Sequence, residues 1–211
     1  MTTWGNAVQG QETTQELSRE QQREMKRMAI LRTAAQSFNT LGYHQTSLND
    51  LADTLGVTKP ALYRYIDGKE DILKQCLNIA QEQIRVAIEE LEAMTVDSSL
   101  SGREQFKLFF NRFAEMSSDD FGACLILSRG SVADESFRDQ YREVAREISQ
   151  SMNKIVEVGM SDGSIQTKSG RLLVAAMLGA INEAVYWQQK EGRVSPEKIA
   201  EQFFGLFALG F

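Results

Sequence analysis

The sequence predicts an all-α protein in which an N-terminal three-helix helix-turn-helix domain is joined by a long helix to a larger C-terminal helical domain. Three observations carry this. Apolar residues recur at three- and four-residue spacings in every patterned stretch, which is the period of a helix buried along one face. Two short stretches of that kind, within Ser47 to Ile66, are separated only by Gly56 and Val57, too little chain for a linker. Both prolines, Pro60 and Pro196, fall at positions suited to a first helical turn, where the missing amide hydrogen costs nothing.

The chain opens with MTTWGNAVQGQETTQELS, a polar stretch with neither a basic leader nor an apolar core, so residues 1–19 are expected to form a flexible tail and not a secretory signal. From about Glu20 to Leu41 a first helix places Met28, Leu31, Ala34, Ala35, Phe38 and Leu41 on one face, with Arg23, Lys26, Arg27 and Arg32 largely elsewhere. Leu48, Leu51, Ala52 and Leu55 stripe the second helix, Ser47 is its cap, and Asp50 is placed to complete a capping box. Gly56 supplies the left-handed backbone that ends this helix. Val57 is expected to plug the angle between the two helices, and Thr58 to cap the third, which begins near Lys59.

Thr58, Lys59, Pro60 and Ala61 then form the N-terminal tip of the third helix. Such a tip suits a major groove, where lysine or threonine donors meet base edges and small apolar groups meet thymine methyls. Leu62 and Ile66 face the core, whereas Tyr63 and Arg64 stand where they could hydrogen-bond phosphates and so fix register. Lys69 lies in the first turn of the next predicted helix. A cation there opposes the helix dipole, and a nearby phosphate would account for it.

At these residues the chain resembles a known family. The run from Met25 to Leu73, with ILRTAAQSFNTLGYHQTSLNDLADTLGVTKPALYRYIDGKEDIL at its heart, is similar to the DNA-binding domain of the TetR family of bacterial transcriptional regulators. The resemblance implies that Thr46, Tyr63 and Lys69 touch phosphates and that Thr58, Lys59, Pro60 and Ala61 approach bases. Gly68 stands where the family often has a capping serine, so Asp67, followed by Glu70, is expected to take over that cap. The domain plan is a tail over 1–19, a DNA-binding domain over 20–67, and an effector-binding and dimerisation domain over 68–211.

A net charge of −6 looks wrong for a DNA binder until it is divided along the chain. Residues 1–67 hold seven basic and seven acidic residues, and the remainder hold 16 and 22, so the acidity belongs to the second part. A local basic tip suffices for docking on DNA. The same distribution speaks against a broadly basic architectural DNA protein.

A helix from about Lys69 to Met94 follows, with Ile72, Leu73, Cys76, Ile79, Ala80, Ile84, Ala87, Ile88 and Leu91 facing inward. At ~1.5 Å per residue it spans more than ~35 Å. Thr95 to Gly102 is a loop. The next helix, Arg103 to Met116, stacks Phe106, Phe109, Phe110 and Phe113, four phenylalanines within eight residues. Most are expected to be core, and one or two to line an apolar cavity. Phe121 to Leu127 reads as a short buried helix; Cys124 within it resembles a cysteine that many TetR-family C-terminal domains carry there. Asp134 to Gly159 forms a long amphipathic helix with Phe137, Tyr141, Val144, Ile148, Met152, Ile155 and Val158 inward, and Ser161 to Ile165 turns the chain.

Leu172 to Trp187 carries Ala175, Ala176, Gly179, Ala180 and Ala184, small residues that allow close helix approach. After a turn at Glu191 to Val194, Ser195 and Pro196 open a final helix ending in FFGLFALGF, apolar on nearly every side. A partner subunit could cover it. The resemblance places a homodimer interface on these last two helices, and a twofold dimer implies a near-palindromic double-stranded operator.

The resulting expectation is a ligand-responsive regulator, most simply a repressor released by a small apolar or aromatic effector contacting Phe109, Phe110, Phe113, Cys124, Met177 and Trp187. Arg112 or Arg129 could meet an acidic head group, although surface ion pairing is the plainer fate of both. The alternative is a helical small-molecule-binding protein or enzyme without sequence-specific DNA binding. No paired acid and base, metal-ligand spacing or nucleotide loop supports it, and a lone His44 cannot build a triad or a histidine metal site. No catalytic residue, metal or cofactor is therefore expected. Cys76 and Cys124 stand far apart without CxxC spacing, which suits a reducing cytoplasm. The apolar runs Leu172 to Ile181 and Phe203 to Leu209 fall short of the ~20 residues of a membrane span.

Overall fold

The computed structural model describes residues 18–95, 99–128, 135–191 and 194–209, without the side chains at 94–95, 136–137, 140, 189–191 and 207–209. Among these residues every regular element is a helix: α1 (Arg19–Leu41), α2 (Leu48–Thr54), α3 (Lys59–Leu62), α4 (Lys69–Thr95), α5 (Gly102–Ser118), α6 (Asp120–Leu127), α7 (Glu135–Ser161), α8 (Gly170–Glu191) and α9 (Pro196–Leu209). The chain forms two compact units, Met1–Ile79 and Ala80–Phe211, and α4 starts in the first and ends in the second.

In the first unit, α1 begins at a full capping box: the Ser18 hydroxyl accepts from the Gln21 amide and the Gln21 side chain accepts from the Ser18 amide. Ile30, Leu31, Ala34, Ala35 and Phe38 of α1 are buried, together with Leu51, Ala52, Leu55, Val57, Leu62 and Ile66, and with Ile72, Leu73, Cys76 and Leu77 of α4. This is the small core that fixes the angle of the helix-turn-helix. Gly42 and Gly56 take φ of 88° and 66°, turning the chain out of α1 and α2 in a backbone conformation that would strain a side chain.

The second unit is built on α5, whose four phenylalanines are all buried, against α7, α8 and α9. Its start is tied down twice: the Asp162 carboxylate accepts from the Gly102 amide at 2.7 Å and the Ser164 hydroxyl from the Arg103 amide at 3.0 Å. Here α5 and α7 touch backbone to backbone. A Cβ on Gly102 would lie 2.1 Å from the amide nitrogen of Gly159. The α6 helix packs on α8 through Ala123, Ile126 and Val185, and the Tyr186 hydroxyl donates to the Ile126 carbonyl.

Several local expectations are corrected. Asp50 accepts from the Ser47 hydroxyl at 2.7 Å while the Ser47 Oγ takes the Asp50 amide, so the short carboxylate meets the cap's side chain and the box is half made. Thr58 is the N-cap residue of α3, yet its hydroxyl makes no capping bond. The third helix is only four residues long and passes at Tyr63 into a turn, in which the Tyr65 amide donates to the Leu62 carbonyl three residues back. Before α4, the Asp67 amide donates to the Asp71 carboxylate at 2.9 Å, so the acid that closes this turn is Asp71, not Asp67 or Glu70. On α7, Val158 is exposed and Val156 is buried, since the inward face drifts around the helix over this length. The loop residues 96–98, Arg129, the Phe137 side chain, the turn at 192–193, the tail before residue 18, and the side chains from 207 onward lie outside the described residues.

Candidate nucleic-acid interface and effector cavities

The turn from Gly56 to Ile66 sets five side chains outward from a core held by Val57, Leu62 and Ile66. Thr58, Lys59 and Pro60 are exposed at the tip, and Ala61 is half-buried behind them. Tyr63 is 50% exposed and Arg64 is exposed beside it. A phenol and a guanidinium held in solvent next to a lysine suit an anionic surface, since neither adds to the core. Among the described residues, no carboxylate pairs with Lys59 or Arg64.

Thr46 and Lys69 have a different setting. Thr46 is buried, and its hydroxyl donates to the Gly42 carbonyl at 3.0 Å. The Lys69 ammonium donates to the carbonyls of Tyr43 (2.9 Å), Thr46 (3.1 Å) and His44 (3.4 Å) and lies 4.5 Å above the Tyr43 ring. The cation that looked misplaced at a helix start is solvated by three carbonyl dipoles of the loop leaving α1. Partial burial, with the Glu70 carboxylate second, pushes the Tyr43 phenol above its ordinary range. Tyr43 packs between Phe38 and His44, with ring centroids 5.3 Å from each.

Two cavities stand out among the described residues of the second unit. The inner one, about 60 Å³, is walled by all of α4 to α8, with Ile84, Phe113, Leu125, Val144 and Leu178 among its residues. The outer one, about 430 Å³, opens where α5 begins and is lined by Arg103, Phe106, Ile165, Leu173, Met177 and Phe204, with Ser164, Gln166 and Thr167 at its polar side. Phe113 thus borders the inner cavity and Met177 the outer. Phe109, Phe110 and Cys124 are core residues, and Trp187 is half-buried on α8. The Cys124 thiol lies 3.7 Å from the Ser128 hydroxyl, and burial pushes its pKa up to about 11. Arg112 pairs with Glu115 at 3.2 Å and Glu90 at 3.9 Å, at the surface. Sequence reasoning missed Arg103, Ile165 and Phe204. Only a cation in the first turn of α5 hinted at the first of them.

Among the described residues no cluster of His, Cys, Asp or Glu could hold a metal ion, and no helix is long and apolar enough to cross a membrane.

Comparison with known proteins follows the same division of the chain. Residues 30–76 match the model of bacterial regulatory proteins of the tetR family, and residues 99–211 match the tetracyclin repressor-like C-terminal domain. The HTH-type transcriptional activator FasR of Mycolicibacterium smegmatis is 21% identical over 180 residues, covering 85% of this chain and 80% of that protein. Among solved structures, the TetR-family regulator PfmR of Thermus thermophilus superposes with a TM-score of 0.72 at 24% identity, covering 86% of this chain and 98% of PfmR. AibR, solved with isovaleryl coenzyme A and operator DNA, gives 0.70 at 20% identity, covering 88% and 100%. These likenesses show a shared fold. With the C-terminal match alone taking in more than half of the sequence, the chain belongs to the TetR family of bacterial transcriptional regulators.

Proposed function

We propose that this protein is a repressor that binds a near-palindromic operator as a homodimer and is released by a small apolar effector. The observation that carries the DNA-binding half is the exposed tip, in which Thr58, Lys59, Pro60 and Ala61 approach base edges while Tyr63 and Arg64 take phosphates. Residues 20–67 form the DNA-binding domain in this reading. Thr46 and Lys69 border the phosphate path and hold the loop after α1 in shape, with the Lys69 ammonium on three carbonyls.

Residues 68–211 receive the effector and the partner subunit. Leu172 is 71% exposed, and Ala175, Ala176 and Gly179 are exposed on the same helix, as is Leu206 on α9. These are the faces offered to a second copy. The inner cavity is the effector's point of action because Ile84 of α4 is one of its walls, so a ligand that swells it must move α4. Phe113 touches that ligand directly, Phe109, Phe110 and Cys124 back it, and Trp187 borders its approach along α8, whereas Met177 lines the outer cavity instead. AibR has been solved with isovaleryl coenzyme A, an acyl thioester, and operator DNA, so acyl thioesters are the effector class to try first. The effector must bind the operator-incompetent state more tightly, or the equilibrium does not move.

Fluorescence anisotropy with the DNA flanking the protein's own gene tests the reading. The wild type should bind that duplex at least tenfold more tightly than random duplex, in line with the usual gap between specific and non-specific binding, ~10³ or more. Lys59→Ala should lose about 1–3 kcal/mol with relaxed sequence preference, and Tyr63→Phe should weaken all duplexes alike. Equal binding to both duplexes would leave the alternative, a helical binding protein without operator recognition. FasR is named an activator, so the sign of regulation is read separately, by in vitro transcription from the bound promoter.

A further inference from the structure

Arg103 poses the problem that Lys69 poses in the first unit: a cation in the first turn of a helix, where the dipole disfavours it. Lys69 is compensated by three carbonyls, but Arg103 is not. Its guanidinium lies 5.9 Å from the centre of the Phe204 ring, and among the described residues no carboxylate pairs with it. Two acids at this helix start are committed elsewhere. Asp162 accepts from the Gly102 and Ser164 amides, and Glu104 accepts from the Ser101 amide and hydroxyl. Its own backbone amide is bonded to the Ser164 hydroxyl, so the helix start has no amide left at that position.

This uncompensated cation stands at the rim of the outer cavity. At about 430 Å³ the cavity lies within the range of small-molecule sites. Its apolar walls come from four separate segments: Phe106 of α5, Ile165 of the turn after α7, Leu173 and Met177 of α8, and Phe204 of α9. Phe106 and Met177 are nearly fully buried at its floor, and the Phe106 and Phe204 rings lie 6.4 Å apart. A mixed recess, polar along Ser164, Gln166 and Thr167 and apolar along Phe106, Leu173, Met177 and Phe204, with the Arg103 guanidinium in its lining, matches an amphipathic anion: a hydrocarbon tail against the apolar side chains and a carboxylate for the fork of Arg103. We infer that the outer cavity is a second ligand site, separate from the inner effector cavity, that takes an aliphatic carboxylate with its head group on Arg103. The inference does not rest on the repressor reading, because it concerns a different cavity and requires no DNA.

The test is calorimetric titration of the full-length protein with sodium laurate, kept below its micelle concentration, and with dodecanol as the uncharged counterpart. Laurate should bind wild type, lose about tenfold or more in affinity with Arg103→Gln, and regain part of it with Arg103→Lys, the scale expected of a charge-assisted hydrogen bond. Dodecanol should be indifferent to both changes. Leu173→Trp, which fills the outer cavity, should abolish laurate binding, whereas Leu178→Trp in the inner cavity should leave it intact. If Leu173→Trp fails to fold, the Arg103 pair on an exposed side chain still decides. The inference is overturned if wild type does not bind laurate, if Arg103→Gln leaves its affinity unchanged, or if only Leu178→Trp removes it. Operator binding measured on the same samples keeps failure of this site distinct from failure of the repressor reading.

Discussion

Lys69 shows how far a single residue can be read. A lysine beginning a helix is electrostatically odd, and that oddness was visible in the sequence. Its partners were not, because they are main-chain carbonyls of Tyr43, His44 and Thr46, and carbonyls leave no mark in a sequence. Cys76 behaves the opposite way: a cysteine on the buried stripe of its helix reads as core, and it is fully buried, as is Cys124, which the sequence offered as an effector contact. The Cys124 thiol is pushed from the ordinary 9.0 up to about 11, first by burial, against a smaller opposing effect of Ser128. The folded state therefore holds this proton more tightly than the unfolded chain. Stability from this group is complete below pH about 9 and is lost as pH rises through about 11. Chemical denaturation of wild type and Cys124→Ala from pH 8 to 11 should show a steeper alkaline decline for wild type. A thiol-specific reagent at pH 8 should label Cys124 only as fast as the protein opens.

At the level of helices, patterning found all nine elements among the described residues within a few positions, and the capping residues Ser47, Pro60 and Ser195 mark true starts. What it missed are features of contact. Gly102 read as the end of a loop, but it opens α5 and admits Gly159, 57 residues away in the sequence, to backbone distance. No spacing rule links two glycines so far apart. Gly102→Ala should therefore force α5 off α7 and destabilise the protein by about 1–3 kcal/mol or more, the range for overpacked cores. Thermal unfolding measures the loss. A melting temperature unchanged by the substitution would mean that this crossing yields easily. The cavity-lining set was similarly hidden: the Phe cluster pointed to α5, yet the open space lies at its first turn, where Ile165 and Phe204 arrive from distant segments.

For the molecule as a whole, two consequences of assembly can be tested. Gly179 is exposed on α8, and a Cβ there would meet nothing within 4 Å in the chain itself. A glutamate at this position should leave the monomer folded but place charge in the middle of the proposed subunit contact. Gly179→Glu is expected to elute as a monomer in size-exclusion chromatography and to bind a two-half-site operator at least tenfold more weakly, because paired reading heads act through effective concentration. Elution as an intact dimer would put the contact elsewhere. The remaining consequence concerns α4, a single uninterrupted helix shared by both compact units. In the proposed function this rod carries the ligand's effect to the reading head, and a transmission can be disengaged without harming either machine it connects. Inserting two glycines after the exposed Asn78 introduces a slack joint in the shaft. The altered protein should still bind operator and still bind ligand, but saturating one should leave affinity for the other unchanged.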